Sequence, residues 1–569
     1  MVTKKKSYAY LFVILAVLMF DVSCGEKSDY EALEKGLKVQ FAGDAKIEVG
    51  GPYVGIEMHH SSVLPQRISF FHPVANSIDA STDYWKRDSA FVMALGLKIG
   101  DGPKEWLGYR PTPFDLTPYS VKFQKGGPEK SVNISYRFCE SRPAMVVTYE
   151  ITNAGSTSQV FEFETHLETD LRTCHTYRKV DKAWTEFDGQ GSTIYVNYDD
   201  PETQNAQVFV ANAGEQPVDY NSVGALNRSS LEKNDFWKDA PVRGEKLVPR
   251  EKQAVTSARF LYKKELAPSQ KMTVVQIIGS ARQNEGRGIV AYLLKNYKDE
   301  IARYEEKVLN KAGREGTLET GDSAIDHSAR WAKAILAANA HYLYGRLVPM
   351  PCPAEYNFYF THDVLMTDLA AVNFDLQRVK NDLQYIIDHA NAEKIIPHAY
   401  YWKDSTYVTE YATSDNWNNF WFIIVSASYL RHSADTAFVK ILYPYLAKSL
   451  HQALLTKGED DLMYSYRPDW WDIGKNYGPR TYMTTLAIKS IRDLLYLSNR
   501  IGENQDRLAE LENLADRMQA QLVSRLWNAN LNFLVNYFED GSMDDHYYIG
   551  SLLAAHFNML ETDKVSALV

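Results

Sequence analysis

The stretch RPDWWDIGKNYGPR, Arg467 to Arg480, sets Trp470 and Trp471 between two acids, Asp469 and Asp472, and closes on a Gly-Pro-Arg turn. A carboxyl group flanked by Trp471 and Ile473 is expected to sit in a partly apolar pocket, which disfavours its charged form and keeps it protonated. Glycosidic cleavage uses such an acid to protonate the leaving oxygen, with a second carboxylate to activate water or attack carbon. Sugars present apolar ring faces rimmed by hydroxyls, so their sites pair flat aromatics with Asp, His, Arg and Asn. Trp402, Trp417, Trp470 and Trp471 lie in or near loops and suit that use, whereas Trp421 is expected in a core, because Ile424 and Val425 continue its helical stripe. His362 and Asp363 end the run FYFTHD at the mouth of a helix, where a carboxylate serves either a ligand or free backbone amides. His398 follows Pro397 in IPHAY, and Arg480 stands to orient Asp472, hold a hydroxyl or bridge two loops. A solvated turn beside structural tryptophans is the competing reading for Asp469 and Asp472.

Other chemistries find less support. No glycine-rich nucleotide loop, HExxH or Gly-x-Ser-x-Gly elbow occurs, and no cofactor is implied. His166 and His175 stand nine apart in strand-like text and would face opposite sides, and His59-His60 is no stronger, so no metal site is expected. Beyond Cys24 only Cys139, Cys174 and Cys352 remain; a Cys139–Cys174 disulfide and two separate thiols are both open. A net charge of -10 opposes a phosphate backbone as partner, so nucleic acid is not expected.

Two kinds of element must hold these residues. From about Lys38 to Ile278 the text alternates β-branched and aromatic residues between Gly, Asn and Pro, as in RPAMVVTYEITN and QVFEFETHLE, which predicts antiparallel strands of a β-sandwich. Gly286 to Gly313 reads as a charged linker helix. Beyond Ser328 apolar residues recur at three and four, giving about eight helical stretches separated by loops rich in Trp, Tyr, His and Asp. The expected divisions are a leader at 1–24, a β-sandwich at 25–285, a linker at 286–327 and a helical domain at 328–569.

The leader carries three lysines, an apolar run from Tyr8 to Phe20 and a small residue before Cys24. That order is an export signal, too short for a stable membrane span. It resembles a bacterial lipoprotein signal, which implies lipidation at Cys24 and a periplasmic or outer-membrane location. Soluble export after cleavage and an uncleaved anchor are the alternatives.

A sandwich, a linker helix and a run of helical hairpins resemble glycoside hydrolases whose catalytic domain is an (α/α)6 toroid. The likeness is nearest to glycogen-debranching amylo-α-1,6-glucosidases and processing α-glucosidases, through Trp471-Asp472 with Pro479-Arg480, FYFTHD, KIIPHAY and SDNWNNFWFI, in the expected order. The resemblance implies an inverting hydrolase of α-glucosidic links in oligo- or polysaccharides, with Asp472 as general acid and Asp363 gripping the sugar. TYMTTLAIKS lacks the glutamate usual after the family's acid loop, which leaves substrate and linkage open. The resemblance also implies a twelve-helix ring that is incomplete at Val569, with its base beyond that point. Another toroid sugar enzyme, such as a phosphorylase or epimerase, and a non-catalytic glycan-binding lipoprotein or inactive fragment are the rival readings.

Overall fold

The computed structural model describes residues 33–569 except 42–46, 59–62, 75–77, 82–91, 108–112, 169–170, 174–182, 189–192, 222–225, 228–240, 243–244, 247–253, 256, 314–316, 344–345, 351, 355–358, 471–473, 475 and 504–507. The leader with Cys24, the pair His59-His60, and Cys174 and His175 lie outside the described residues. Two compact units emerge: one runs to Asn357 and includes Trp402–Tyr407, the other comprises Phe358–Tyr401 and Val408–Val569.

The first unit is a β-sandwich. Its long strands are β1 (Met93–Ile99), β2 (Lys130–Phe138), β3 (Ala144–Asn153), β4 (Gln159–Glu168), β5 (Ser257–Leu266) and β6 (Lys271–Arg282). In a nine-stranded sheet β3 lies between β2 and β6, and in a five-stranded sheet β4 lies between β5 and β1, all antiparallel. Alternation along β2 buries Val132, Ile134, Tyr136 and Phe138 on one face, as a strand period of two demands. Facing rings close the core: Tyr149 of β3 meets Phe163 of β4 at 5.2 Å, and Phe163 stacks on Tyr262 of β5 at 6.2 Å. Helix α1 (Gly286–Gly313) lays Val290, Leu293, Ile301, Tyr304 and Val308 over the nine-stranded sheet.

Helix α2 (Ser323–Ala338) starts at Asp322, whose carboxylate accepts from the Ala324 amide at 2.9 Å, and packs on α1 through Ala334 and Ala338. The helical text here runs on to Gly345, but the structure turns at Asn339 into a strand, Ala340–Leu343, paired with Arg346–Pro349. The strand buries His341, whose ring nitrogens reach the carbonyls of Gly51 and Cys352 at 2.9 and 3.1 Å. Cys139 is a free, buried thiol, and Trp402 is also buried in this unit, its indole N–H donating to the Glu202 carbonyl at 2.7 Å.

The second unit is helical. Its helices are α3 (Thr361–Ala371), α4 (Leu376–Asp388), α5 (Asn418–Ser433), α6 (Thr436–Leu454), α7 (Thr481–Ile501), α8 (Leu508–Gln521), α9 (Ile549–His556) and α10 (Thr562–Leu568). Neighbours run α3 to α5 to α7 to α9, while α4, α6 and α8 flank that row. The row helices α5 and α7 are buried on most of their surface, so apolar residues surround them; α4 faces inward along a stripe of Val379, Leu383, Ile386 and Ile387. Trp421 is buried as its helical stripe predicts, with its N–H on the Tyr482 hydroxyl at 2.8 Å. Paired helices in an inner and an outer row after a β-sandwich give the β + α, toroid-like architecture expected from the sequence. Among the described residues no helix is long and apolar enough to cross a membrane.

Candidate active site

The N-terminal mouths of α3, α5, α7 and α9 gather at one end of the helical unit. Tyr359 and Phe360 pair with Tyr400 and Ala399, and the Thr361 hydroxyl donates to the Pro397 carbonyl at 2.7 Å, which sets the start of α3 beside His398. The Phe360 and His398 rings stand 5.9 Å apart. At the mouth of α5, Asn416 accepts the Asn418 amide on Oδ1 at 2.9 Å. That bond turns the Asn416 Nδ2 toward His398 Nδ1 at 3.3 Å, where Asn418 Nδ2 also donates at 2.9 Å. Two donors on Nδ1 assign the ring proton to Nε2, so neutral His398 is a donor through that atom.

Trp417 lies between these groups. The His362 ring meets it edge-on at 5.8 Å, and the Arg467 guanidinium covers it at 5.2 Å while bonding Asp415 Oδ2 at 2.8 Å. With Arg467 on the ring and only 2% of the residue exposed, Trp417 presents no open stacking face. That N–H, His362 Nε2 and Asn418 Oδ1 are buried without a protein partner. Each such atom costs about 1–3 kcal/mol while it lacks a partner. Asp363 adds a carboxylate that is 43% exposed in the first turn of α3, with His362 Nδ1 at 3.9 Å.

The loop before α7 supplies the rest. Tyr464–Ser465 pairs with Gly478–Pro479, and Arg480, 1% exposed, donates from Nε to the Ser465 carbonyl at 3.0 Å and from Nη2 to that of Asn476. Its Nη1 stands 3.7 Å from Asp544, and burial pulls the guanidinium's pKa down against the opposing pull of Asp544 and Tyr548. Arg480 therefore ties both feet of the loop that carries Trp470. Gly474 allows the loop to fold back, since a Cβ there would stand 1.8 Å from the Tyr466 carbonyl oxygen. Trp470 is 58% exposed and Asp469 half-buried; Asp469 is near enough for its charge, after burial, to push up the Tyr482 phenol. Trp471 and Asp472 lie outside the described residues.

The structure thus joins His362, Asp363, His398 and Trp417 in one place and leaves Trp402 in the first unit. Sequence reasoning missed Asp415, Asn416, Asn418 and Arg467. Arg467 opens the quoted motif and the asparagines fill SDNWNNF, so their residue types were visible while their partners were not. It also missed a dry acid pair: Asp368 of α3 and Asp382 of α4 are both buried, with Arg378 Nε at 3.8 and 3.6 Å from the two. Among the described residues no group of three or more His, Cys, Asp or Glu is placed to hold a metal ion.

No family model and no curated protein matches this chain. Among solved structures it is similar to a bacterial glucoamylase complexed with acarbose, at 11% identity and a TM-score of 0.55 over 88% of this chain and 70% of that one. It is also similar to a protein described as "Putative kojibiose phosphorylase from human microbiome", at 12% identity and a TM-score of 0.54 over 94% of this chain and 79% of that one. At such identities the likeness is one of fold. The chain has the sandwich-plus-helical-toroid fold found in carbohydrate-active proteins.

Proposed function

We propose that this chain is a glycoside hydrolase that cleaves α-glucosidic links in oligo- or polysaccharides. The observation that carries the reading is the meeting of His362, Trp417 and the 43% exposed Asp363 carboxylate at the inner helix mouths, where His362 Nε2 and the Trp417 N–H are buried without a hydrogen-bond partner. Trp470 adds an exposed flat face. Asp472, on the loop held by Arg480, acts as general acid toward the leaving oxygen. A carboxylate roughly 6.5–9.5 Å away then activates water on the opposite ring face, inverting the anomeric centre. The amylo-α-1,6-glucosidase resemblance of the loop motifs supports the α-glucosidic class, as does the fold's occurrence in a glucoamylase.

A phosphorylase is the second reading, favoured by the fold of the protein described as a kojibiose phosphorylase. One assay separates them: maltose, isomaltose, kojibiose and glycogen incubated with and without inorganic phosphate, with products and anomers followed by NMR. Free β-glucose without phosphate, and a loss of roughly 10²–10⁴-fold in kcat for Asp472→Asn, is the expected result. Glucose 1-phosphate formed only with phosphate replaces the hydrolase reading by the phosphorylase one. Full activity in Asp472→Asn removes that residue from the mechanism, and sugar binding with no product leaves a binding protein.

Export with a lipid on Cys24 is part of the proposal, supported by Lys4 to Lys6, the apolar run and the cysteine that follows. Cys24→Ala is expected to move the protein from the membrane to the soluble periplasmic fraction. An unchanged membrane fraction counts against lipidation.

A further inference from the structure

A cavity of about 500 Å³ opens beside the loop that joins α6 to α7, at the end of the helical unit where the inner helices begin. Its volume falls in the range of roughly 300–1,000 Å³ usual for small-ligand sites. Tyr464 and Tyr477 form one wall, their ring centroids 5.8 Å apart, and Gly458 lets the Tyr464 ring lie against the chain, since a Cβ there would come within 2.4 Å of it. The polar wall holds Asp460, Arg525 and Glu459. Lys457 is committed elsewhere, to the Gly458 carbonyl at 2.9 Å and Asp461 at 2.8 Å.

The charges decide what fits. Arg525 Nη1 faces Asp460 Oδ2 at 3.9 Å, beyond hydrogen-bonding distance, so fork and carboxylate both keep capacity for a third group between them. The Tyr464 hydroxyl donates to the same Asp460 oxygen at 3.1 Å and steadies it. A phosphate would meet Glu459 and Asp460, and a bare cation would meet Arg525. An uncharged ring with adjacent hydroxyls meets donors, acceptors and aromatic faces together.

The cavity is also joined to the candidate active site. The Tyr477 ring meets that of Tyr466 at 5.1 Å, tilted by 52°, and Tyr466 precedes Arg467, which covers Trp417. Burial and then the charge of Asp415, the partner of Arg467, push the Tyr477 phenol up. An aromatic run thus leads from the cavity toward Trp417.

We propose that this cavity is an accessory saccharide site that seats one sugar ring of an oligosaccharide through Tyr464, Tyr477, Asp460, Arg525 and Glu459. The proposal rests on the carbohydrate-active reading of the chain. Full-length protein is titrated calorimetrically with maltoheptaose and assayed for maltose hydrolysis, comparing the parent with Arg525→Gln/Glu459→Gln, Tyr477→Ala and Asp363→Asn. The double variant changes exposed side chains, and unchanged circular dichroism and melting confirm its fold. Its dissociation constant for maltoheptaose is expected to rise roughly tenfold, the loss of one charged hydrogen bond, with maltose turnover kept. Tyr477→Ala is expected to weaken maltoheptaose binding in the same direction, and Asp363→Asn to lose maltose turnover. Parent-like maltoheptaose binding in the double variant and in Tyr477→Ala, with Asp363→Asn still impaired, overturns the accessory site and leaves the proposed function standing. A parent protein that neither binds maltoheptaose nor turns over maltose overturns both.

Discussion

Two buried acid clusters, one in each unit, handle charge in opposite ways. On β4 of the sandwich a single carboxylate, Glu164, is surrounded by cations and donors: Lys104 at 2.5 Å, Arg259 at 2.5 Å and the His166 ring at 2.6 Å. Burial alone would raise its pKa, but His166, Arg259 and Lys104 outweigh burial and hold the carboxyl well below its usual range. Between α3 and α4 the ratio reverses. Asp368 and Asp382 share Arg378, so burial and then the Asp382 charge push Asp368 well above the carboxylate range. Burial also lifts Asp382, to about 6, against the pull of Arg378. The difference teaches that burial does not set a carboxyl's protonation by itself; the count of donors around it does. A sheet face open to long Lys and Arg side chains can supply that count, whereas a dry helix pair admits one guanidinium.

The largest break in this comparison is Arg378→Met, which leaves the two buried carboxyls of Asp368 and Asp382 without their guanidinium. A loss of about 3–5 kcal/mol is expected, read as a lowered urea midpoint of the helical unit. A loss no greater than that of Arg259→Met would show that Arg378 does not carry the pair.

The pH response is next and should differ in sign between the units. Asp382 has a raised pKa in the fold, so its contribution is complete below the unfolded aspartate value and is lost as pH rises through about 6. Glu164 has a lowered one, so its contribution is complete above the ordinary glutamate value of 4.5 and is lost as pH falls below it. Hydrogen exchange on α3–α4 and β4–β5 peptides, corrected for intrinsic rates, should show protection falling with rising pH in the first pair and with falling pH in the second. Asp368→Asn removes the titratable carboxyl beside Asp382 and should flatten the α3–α4 response; a response of the same sign in both units would sink the account.

Smaller effects sharpen the sheet side. Arg259→Met should cost about 1–2 kcal/mol, because Lys104 and His166 remain on Glu164. Lys104→Met should cost less than about 1 kcal/mol, as expected for a partly exposed pair. Equal costs for Arg259→Met and Arg378→Met in denaturant titrations would erase the distinction between the two clusters.

The same contrast explains what the sequence shows. QVFEFETHLE alternates, and the structure makes it β4 with Phe161, Phe163 and Thr165 on one face, because the period of two needs only neighbouring residues to be legible. GRGIVAYLL to NKAG is α1 from its first glycine to its last for the same reason. At AHYL the helical reading failed, since pairing with Arg346–Pro349 and burial of His341 outweighed local continuation. His362, Asp363, His398 and Trp417 were legible as residue types at helix mouths. Arg467, Asn416 and Asn418 were not, because a residue that orients another is recognised only by its contact.

Sequence by itself determined a strand-rich half, a linking helix and a helical half, together with a supply of aromatics, acids and histidines in the later loops. Periodicity and composition are local, so they survive without coordinates. Only the tertiary structure decided that positions 362, 398, 417 and 467 meet, that Arg480 fastens a loop by its two feet, and that burial lifts Asp368 above the usual carboxylate range. Those outcomes depend on distances and dry volumes set by helices far apart in the chain, and no spacing along it records them.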